Sequence, residues 1–278
     1  MSNQDKKDIV ICYRIYPKVS KDPVIFADDK FKLSELCLRS FRDSLGDLNF
    51  KMRVLLDNCP KEYEELFKKY FNEKDLELVN LSGVGNYATF GKQIDYLLEQ
   101  NDSEYVYFAE DDYFYLPNTF IEMLDFMKSR NDVHFISPFD HLDIYTRSLH
   151  DYKVQMAFSK KRHWMSVGST CLTFLTTKKL LRKNEKTFRS YCKGNPDVSL
   201  WFSITKTKIF NIFNLIKKIF TSIFECYVLA CTWFYTPAQN IFSPKYKIWT
   251  PVPSIALHLE SKTVSPAVDW NKEFQKYL

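Results

Sequence analysis

Tyr105–Pro117 reads YVYFAEDDYFYLP. An aromatic and apolar run, Tyr105–Ala109, meets three consecutive acids, Glu110, Asp111 and Asp112, with no polar residue between. The run reads as a buried strand and the segment from Asn118 to Lys128 as the helix that follows. Three adjacent carboxylates at a strand end repel one another and need a cation or donors to compensate them. In an open α/β sheet, ligands bind at the carboxyl ends of strands. Hard oxygen ligands in that position suit Mg²⁺ or Mn²⁺, ions that usually also engage substrate phosphates. The alternative is a solvated acidic turn leading into the helix.

Moving outward, the same strand–helix rhythm fills the first 140 residues. Asp8–Tyr16 (DIVICYRIY), Lys51–Asp57, Leu76–Leu81 and Val133–Ser137 read as strands. Phe31–Leu45, Glu62–Phe71 and Tyr87–Gln100 read as helices, the first with Leu33, Leu36, Cys37, Phe41 and Leu45 near helical spacing. Strands alternating with helices through short connections predict an α/β fold, a mostly parallel sheet flanked by helices. The pattern loosens beyond residue 140. Ser166–Leu175 is expected as a strand, Thr177–Arg189 and Asp197–Ile204 as helices, and Ser254–Leu259 as a short late strand.

EDDY after an apolar strand, followed by LP and a helix, resembles the DxD-type motif of GT-A-fold nucleotide-sugar glycosyltransferases, nearest to the family-2-like bacterial type. The resemblance covers about residues 8–260 in element order. It implies a GT-A-like, Rossmann-type sheet with a C-terminal acceptor and interaction region. Residues 1–140 would form the nucleotide-sugar-binding half and 141–278 the acceptor-binding half of one continuous domain. It further implies a nucleoside-diphosphate donor such as a UDP- or GDP-sugar, a glycan or lipid-linked acceptor, and inverting transfer assisted by Mn²⁺ or Mg²⁺. Carried over, Asp112 ligates the metal, while Glu110 and Asp111 act through water or contact the nucleotide sugar. Asp57, closing the second strand, falls where the family accepts a hydrogen bond from the nucleobase; a turn-forming Asp-Asn pair is the other reading. Tyr13 and Arg14 end the first strand, where the family contacts the nucleotide, and Lys92 and Gln93 are the polar candidates on the helix after the third.

Inverting transfer needs a base for the acceptor hydroxyl. Asp197, in GNPDVSLW, occupies the family's position for it, although an Asp beside Pro also suits a first helical turn. One acid stands there where the family usually has two. His258, in SIALHLES, matches a region where the family places a metal-binding His; it also fits a satisfied core histidine. Asp140, His141 and Asp143, with the pair His163-Trp164, are expected on the acceptor side.

Two other segments bear on function. GVGNYA, at 83–88, matches the dinucleotide fingerprint, with Glu110 roughly 20 residues on as the ribose acid; it supports an NAD-dependent oxidoreductase as the rival reading. Against it, the motif follows the third strand, and the acid is one of three. Residues 206–235 form a basic, aromatic-rich stretch whose wide apolar face suits an in-plane interfacial helix, with Lys217-Lys218 against a span. A subunit interface or a core helix is the alternative, and a non-catalytic membrane-associated protein on the same fold is the corresponding third function.

Composition narrows the field further. Glycine numbers 6 in 278 residues, where average usage would give roughly 19; neither a collagen-like chain nor a Gly-rich phosphate loop is supported. At 45% hydrophobic and 26% charged the chain is globular. A net charge of +5 is too mild for a nucleic-acid binder. Seven cysteines without a CxxC pair point to a reducing, cytoplasmic setting with no structural zinc. The polar start, MSNQDKKD, is not a secretory signal, and no run is apolar enough to span a bilayer, which leaves peripheral association with the inner membrane face.

Overall fold

In a computed structural model, residues 6–19, 22–210 and 222–278 are described. Residues 211–221, the middle of the basic aromatic stretch, lie outside them.

The first half alternates as its sequence predicts: β1 (Ile9–Ile15), α1 (Lys30–Leu45), β2 (Phe50–Asp57), α2 (Lys61–Tyr70), β3 (Leu76–Leu81), α3 (Asn86–Glu99), β4 (Tyr105–Glu110). β1 is buried along its whole length. Its residues alternate between two cores: Ile9, Ile11, Tyr13 and Ile15 on one face, Val10 and Cys12 on the other. A strand with period-2 side chains and both faces covered is what a parallel α/β sheet requires. Leu33, Leu36, Cys37, Phe41 and Leu45 do form the buried face of α1, whose first turn is capped by Asp29 accepting from the Lys32 amide at 3.0 Å.

The remaining strands are β5 (Tyr113–Tyr115), β6 (Phe135–Ile136), β7 (Met156–Phe158), β8 (His163–Val167), β9 (Phe174–Thr177), β10 (Ile248–Val252) and β11 (Ala256–His258). The helices between them are α4 (Thr119–Ser129), α5 (Asp143–Thr146), α6 (Lys178–Lys183), α7 (Glu185–Ser190) and α8 (Asp197–Thr205). Among the described residues the main sheet has nine strands in the order β3-β2-β1-β4-β9-β6-β10-β8-β7. β3, β2, β1 and β4 run parallel. β9 is antiparallel to β4 and to β6, and β10 is parallel to β6 but antiparallel to β8. The fold is α/β, with a mixed, mostly parallel sheet flanked by helices.

The expected strand Ser166–Leu175 is two strands, β8 and β9, lying apart in the sheet and joined by residues 168–173. The expected helix Thr177–Arg189 breaks at Asn184, which caps the C-terminus of α6 with its backbone N–H. One core is tied across the parallel and mixed parts by rings: Phe108 of β4 stacks on Phe174 of β9 at 4.6 Å, and Phe174 stacks on Phe188 at 5.3 Å.

Candidate active site

β1, β2 and β4 are parallel, so their carboxyl ends open on one edge of the sheet and bring Arg14, Asp57 and Glu110 together there. A cavity of about 520 Å³ lies at that edge. Its lining includes these three residues, Gly83, Gly85 and Asn86 before and on α3, Asp111, Asp112, Tyr191, Asp197 and His258.

The three acids are tolerated because each faces a different donor. Glu110 makes an ion pair with Arg14 and accepts from the Thr173 hydroxyl at 2.7 Å. Asp111 accepts from the Tyr16 amide at 3.1 Å and pairs with Lys30 at 2.7 Å. Asp112 Oδ2 lies 3.1 Å from His258 Nε2. Burial alone would lower the Lys30 ammonium, but Asp111 and Asp112 outweigh it and raise it. Burial, with Asp112 in support, pushes the Asp111 carboxyl up against the pull of Lys30. The carboxylates thus sit in a site where further positive charge would be favourable.

His258 reaches Asp112 through a second, small sheet. β11 pairs antiparallel with β5, setting His258 opposite Tyr113, the residue after Asp112. The ring centroids of Tyr113 and His258 are 4.9 Å apart, and the Leu259 amide donates to the Asp112 carbonyl at 2.9 Å. A carboxylate oxygen and an imidazole nitrogen converging from positions 112 and 258 fit Mn²⁺ or Mg²⁺ chemically. Among the described residues no group of three or more His, Cys, Asp or Glu is placed to hold a metal. Asp112 and His258 would therefore supply two ligands, leaving the other positions to water and phosphate oxygens, as is usual for Mg²⁺.

Asp57 is 3% exposed. Its Oδ1 and Oδ2 accept from the Val84 and Gly85 amides, both at 2.8 Å. The turn they hold has φ of +76° at Gly83 and +85° at Gly85, backbone that favours glycine. The same bonds bear on the dinucleotide fingerprint. Two amides of the GVG turn already serve a carboxylate, whose charge would repel a pyrophosphate. The turn also follows β3, an edge strand of the sheet.

Arg14 donates to the Asn86 backbone carbonyl at 3.0 Å and also to its side-chain oxygen. Asn86 Nδ2 donates to the Tyr191 hydroxyl at 2.7 Å. Asp197 stands in the first turn of α8, where its Oδ1 accepts from the Val198 amide at 2.7 Å. Tyr191, Thr173 and Lys30 were not anticipated. The polar residues gain their place from long-range pairing, and Lys30 had no local signal beyond its helix start.

Several candidates from sequence lie elsewhere. Tyr13 is 1% exposed and meets Phe41 and Phe67 edge-on in the core, because neighbouring residues on a strand face opposite sides. Gln93 is fully buried, donating to the carbonyls of Cys12 and Ala109 at 2.7 and 3.1 Å; it ties β1 to β4. Lys92 is exposed on α3 and does not line the cavity. Trp164 has no exposed surface for a sugar and stacks on Phe126 at 4.2 Å. His163 is exposed beside it on β8, toward the far edge of the sheet. Asp140 and His141 are buried outside the cavity lining. Asp140 accepts from the Tyr145 hydroxyl at 2.8 and 2.9 Å, and burial raises its carboxyl to about 6. Asp143 pairs with Arg147 at 3.0 Å in the same loop.

No protein family matches the chain, and no curated protein matches its sequence. Solved structures do. TarS 1–349 of S. aureus in complex with UDP-GlcNAc is 16% identical over 64% of this chain and 47% of its own, with a TM-score of 0.42. Glucosyl-3-phosphoglycerate synthase of Mycobacterium tuberculosis, in complex with Mg²⁺ and UDP, is 9% identical over 73% and 65%, at 0.41. The 4-diphosphocytidyl-2C-methyl-D-erythritol synthase of Anaerococcus prevotii is 12% identical over 71% and 82%, also at 0.41. The chain spans about half the length of the TarS chains solved with UDP-GlcNAc and with UDP, 47% and 54%.

Proposed function

We propose that the chain transfers a sugar from a nucleoside-diphosphate donor to an acceptor hydroxyl, with a divalent cation bound at Asp112 and His258. The observation that carries this is the convergence of those two residues, 146 positions apart, to 3.1 Å beside Glu110 and Asp111. All four line one cavity with Asp57, Arg14 and Asp197. Such a site asks for a ligand that brings its own phosphates to complete a metal's coordination.

The cation, when bound, neutralises charge developing on the leaving diphosphate. Asp57 holds the Gly83–Gly85 turn as one wall of the donor site. Arg14, fixed by Glu110 and Asn86, presents positive charge toward the phosphates. Asp197 takes the proton of the acceptor hydroxyl as its oxygen bonds to the anomeric carbon and the bond to the diphosphate breaks, giving inversion.

A thermal-shift plate of UDP-, GDP-, CMP- and dTDP-sugars and NAD, with and without Mn²⁺, tests the proposal. A Mn²⁺-dependent rise in Tm with one nucleotide sugar, lost in Asp112→Ala, is expected. A rise with NAD alone would overturn it in favour of an oxidoreductase.

A further inference from the structure

His258 and Glu260 stand two positions apart in SIALHLES. Glu260 continues the extended course of β11, with φ −81° and ψ 123°, so the two side chains turn to one face. Leu257 and Leu259 turn to the other and are buried in the core. His258 and Glu260 do meet: Nδ1 lies 3.8 Å from Glu260 Oε2. The other ring nitrogen, Nε2, lies 3.1 Å from Asp112 Oδ2. The imidazole thus sits between two carboxylates, one at each nitrogen. Backbone fixes both ends of this line. The Leu259 amide donates to the Asp112 carbonyl at 2.9 Å. Glu260 bridges antiparallel to Pro23, flanked by the Val24 amide donating to the Leu259 carbonyl at 3.0 Å and the Ser261 amide donating to the Asp22 carbonyl at 2.9 Å.

A second cavity, of about 20 Å³, lies behind the first and is lined by Lys30, Asp112, His258 and Glu260. Asp112 and His258 line both cavities, whereas Glu260 lines the second and not the first. Glu260 therefore reaches the large cavity only through the imidazole. A neutral imidazole carries one N–H and one lone pair. For Nε2 to ligate a metal its lone pair must be bare, which puts the proton on Nδ1. Asp112, at Nε2, favours the proton on the wrong nitrogen. The rings of Tyr113 and Phe139, with centroids 4.9 and 6.0 Å from that of His258, hold the imidazole in place but do not distinguish its nitrogens. A carboxylate facing Nδ1 does. At 3.8 Å the contact is an ion-pair distance rather than a hydrogen bond, and a small rotation of the Glu260 carboxylate, 22% exposed, closes it.

We propose that Glu260 is a positioning residue for the cation site: it receives the Nδ1–H of His258, so that Nε2 presents its lone pair beside Asp112 to a divalent cation. This role presupposes that Asp112 and His258 ligate the metal, as proposed above. A ring whose one proton is on Nε2 moves it to Nδ1 when the cation binds. A doubly protonated ring releases the Nε2 proton to solvent. In both cases the N–H that remains is the one facing Glu260. The cation then meets a more basic nitrogen, because a carboxylate behind a ligating histidine raises its basicity and fixes its orientation.

Mn²⁺ binding by the full chain, read from the electron paramagnetic resonance of the unbound ion, alone and with UDP or GDP, tests the proposal. Glu260→Ala should weaken binding by about tenfold to a hundredfold, the loss expected when the partner of a ligating histidine is removed. Glu260→Gln, which keeps the size and a carbonyl acceptor, should lose less. A second readout is spectroscopic. Adding Mg²⁺ to the isotope-labelled wild type should bring up a low-field proton resonance from His258 Nδ1–H, absent from His258→Ala. At saturating Mg²⁺ that resonance should move upfield in Glu260→Ala. A residue that only held the bridge to Pro23 would leave it in place. Unchanged Mn²⁺ affinity with an unchanged Nδ1–H resonance in Glu260→Ala would overturn the role of Glu260 and leave the metal ligands standing. A wild type that binds no Mn²⁺ under any of these conditions would overturn the metal site itself, and the role of Glu260 with it.

Discussion

The parallel strands β3-β2-β1-β4 and the mixed strands β9-β6-β10-β8-β7 belong to one sheet, yet they supply the candidate site in different ways. Parallel strands all finish at the same edge, so residues ending them accumulate there: Arg14, Asp57 and Glu110 meet with no further device. Antiparallel strands finish at alternating edges and accumulate nothing. The mixed part therefore delivers its groups by other means: Thr173 from a connection, Asp197 from a helix start, and His258 from the separate β5–β11 ribbon. Topology supplies one set of residues as a consequence of the fold, whereas each member of the other set needs its own long-range contact.

The largest effect should come where the two sets touch. Asp112→Ala is expected to lower Mn²⁺-dependent transfer by about a thousandfold, the several kcal/mol that a bound metal contributes to the transition state. His258→Ala should cost less, about a hundredfold, and the loss should shrink at saturating Mn²⁺ because an oxygen ligand can replace one imidazole. Equal, metal-insensitive losses in both variants would mean that the pair is structural and that the metal sits elsewhere. The readout is initial rate against Mn²⁺ concentration, using donor hydrolysis if the acceptor is not in hand.

The join between the two parts of the sheet should be nearly as costly to break. Phe174 is fully buried, stacked on Phe108 and Phe188, with Trp201 edge-on at 4.9 Å. Phe174→Ala should destabilise the chain by about 3–5 kcal/mol, measured by urea unfolding. A single transition shifted to lower urea would show the two parts unfolding together. A second transition would show the parallel part surviving alone, and would turn a difference in topology into one of stability.

This difference also sets how much was legible in the sequence. The parallel part follows local rules: strand and helix periods alternate, β4 runs unbroken into three acids, and strand-end residues share an edge. Arg14, Asp57, Glu110, Asp111 and Asp112 were therefore nameable as cavity residues from spacing and family resemblance. The same strand-end rule put Tyr13 on the site and failed, because one residue's shift along a strand turns a side chain to the other face. In the mixed part, β8 and β9 are close in sequence but separated in the sheet, so Ser166–Leu175 looked continuous. Trp164 was expected on the acceptor side, yet it is buried, because a buried and an exposed aromatic have the same letter. His258 and Asp197 came from resemblance, while Lys30, Thr173 and Tyr191 had no local signal.

Asp57 allows a smaller test. Replacing it with Asn puts an amide donor where one of the Val84 and Gly85 amides now donates. The loss should be about 1–3 kcal/mol, that of a buried donor left unmet. If the carboxylate acts by holding the turn, Asp57→Asn should lower Tm and nucleotide-sugar affinity together. If affinity falls while Tm is unchanged, Asp57 acts directly on the ligand and the turn is held by other contacts.

The smallest effect lies in the loop between β6 and β7, which belongs to the mixed part. His150 is 7% exposed, with Nδ1 3.2 Å from the Tyr152 hydroxyl. Burial lowers its pKa from 6.5 to about 4; His141, Lys208 and Arg147 add to this and Asp143 opposes it. The folded chain thus keeps the ring neutral where the unfolded chain protonates it. The stability this contributes is fully present above pH 6.5 and is lost as pH falls toward 4. Asp140 has the opposite sign: with its carboxyl raised from 3.8 to about 6, its stabilisation is full below 3.8 and is lost as pH rises through 6. Burial lowers the His141 ring to about 4 as well. Between pH 7 and pH 5, His150 and His141 should each cost about 1–2 kcal/mol, partly offset by Asp140. Urea midpoints at the two pH values should therefore converge in His150→Gln and diverge in Asp140→Asn. If both variants keep the wild-type pH slope, the loop is not the acid-sensitive element, and the contrast between the two parts of the sheet stops at the site.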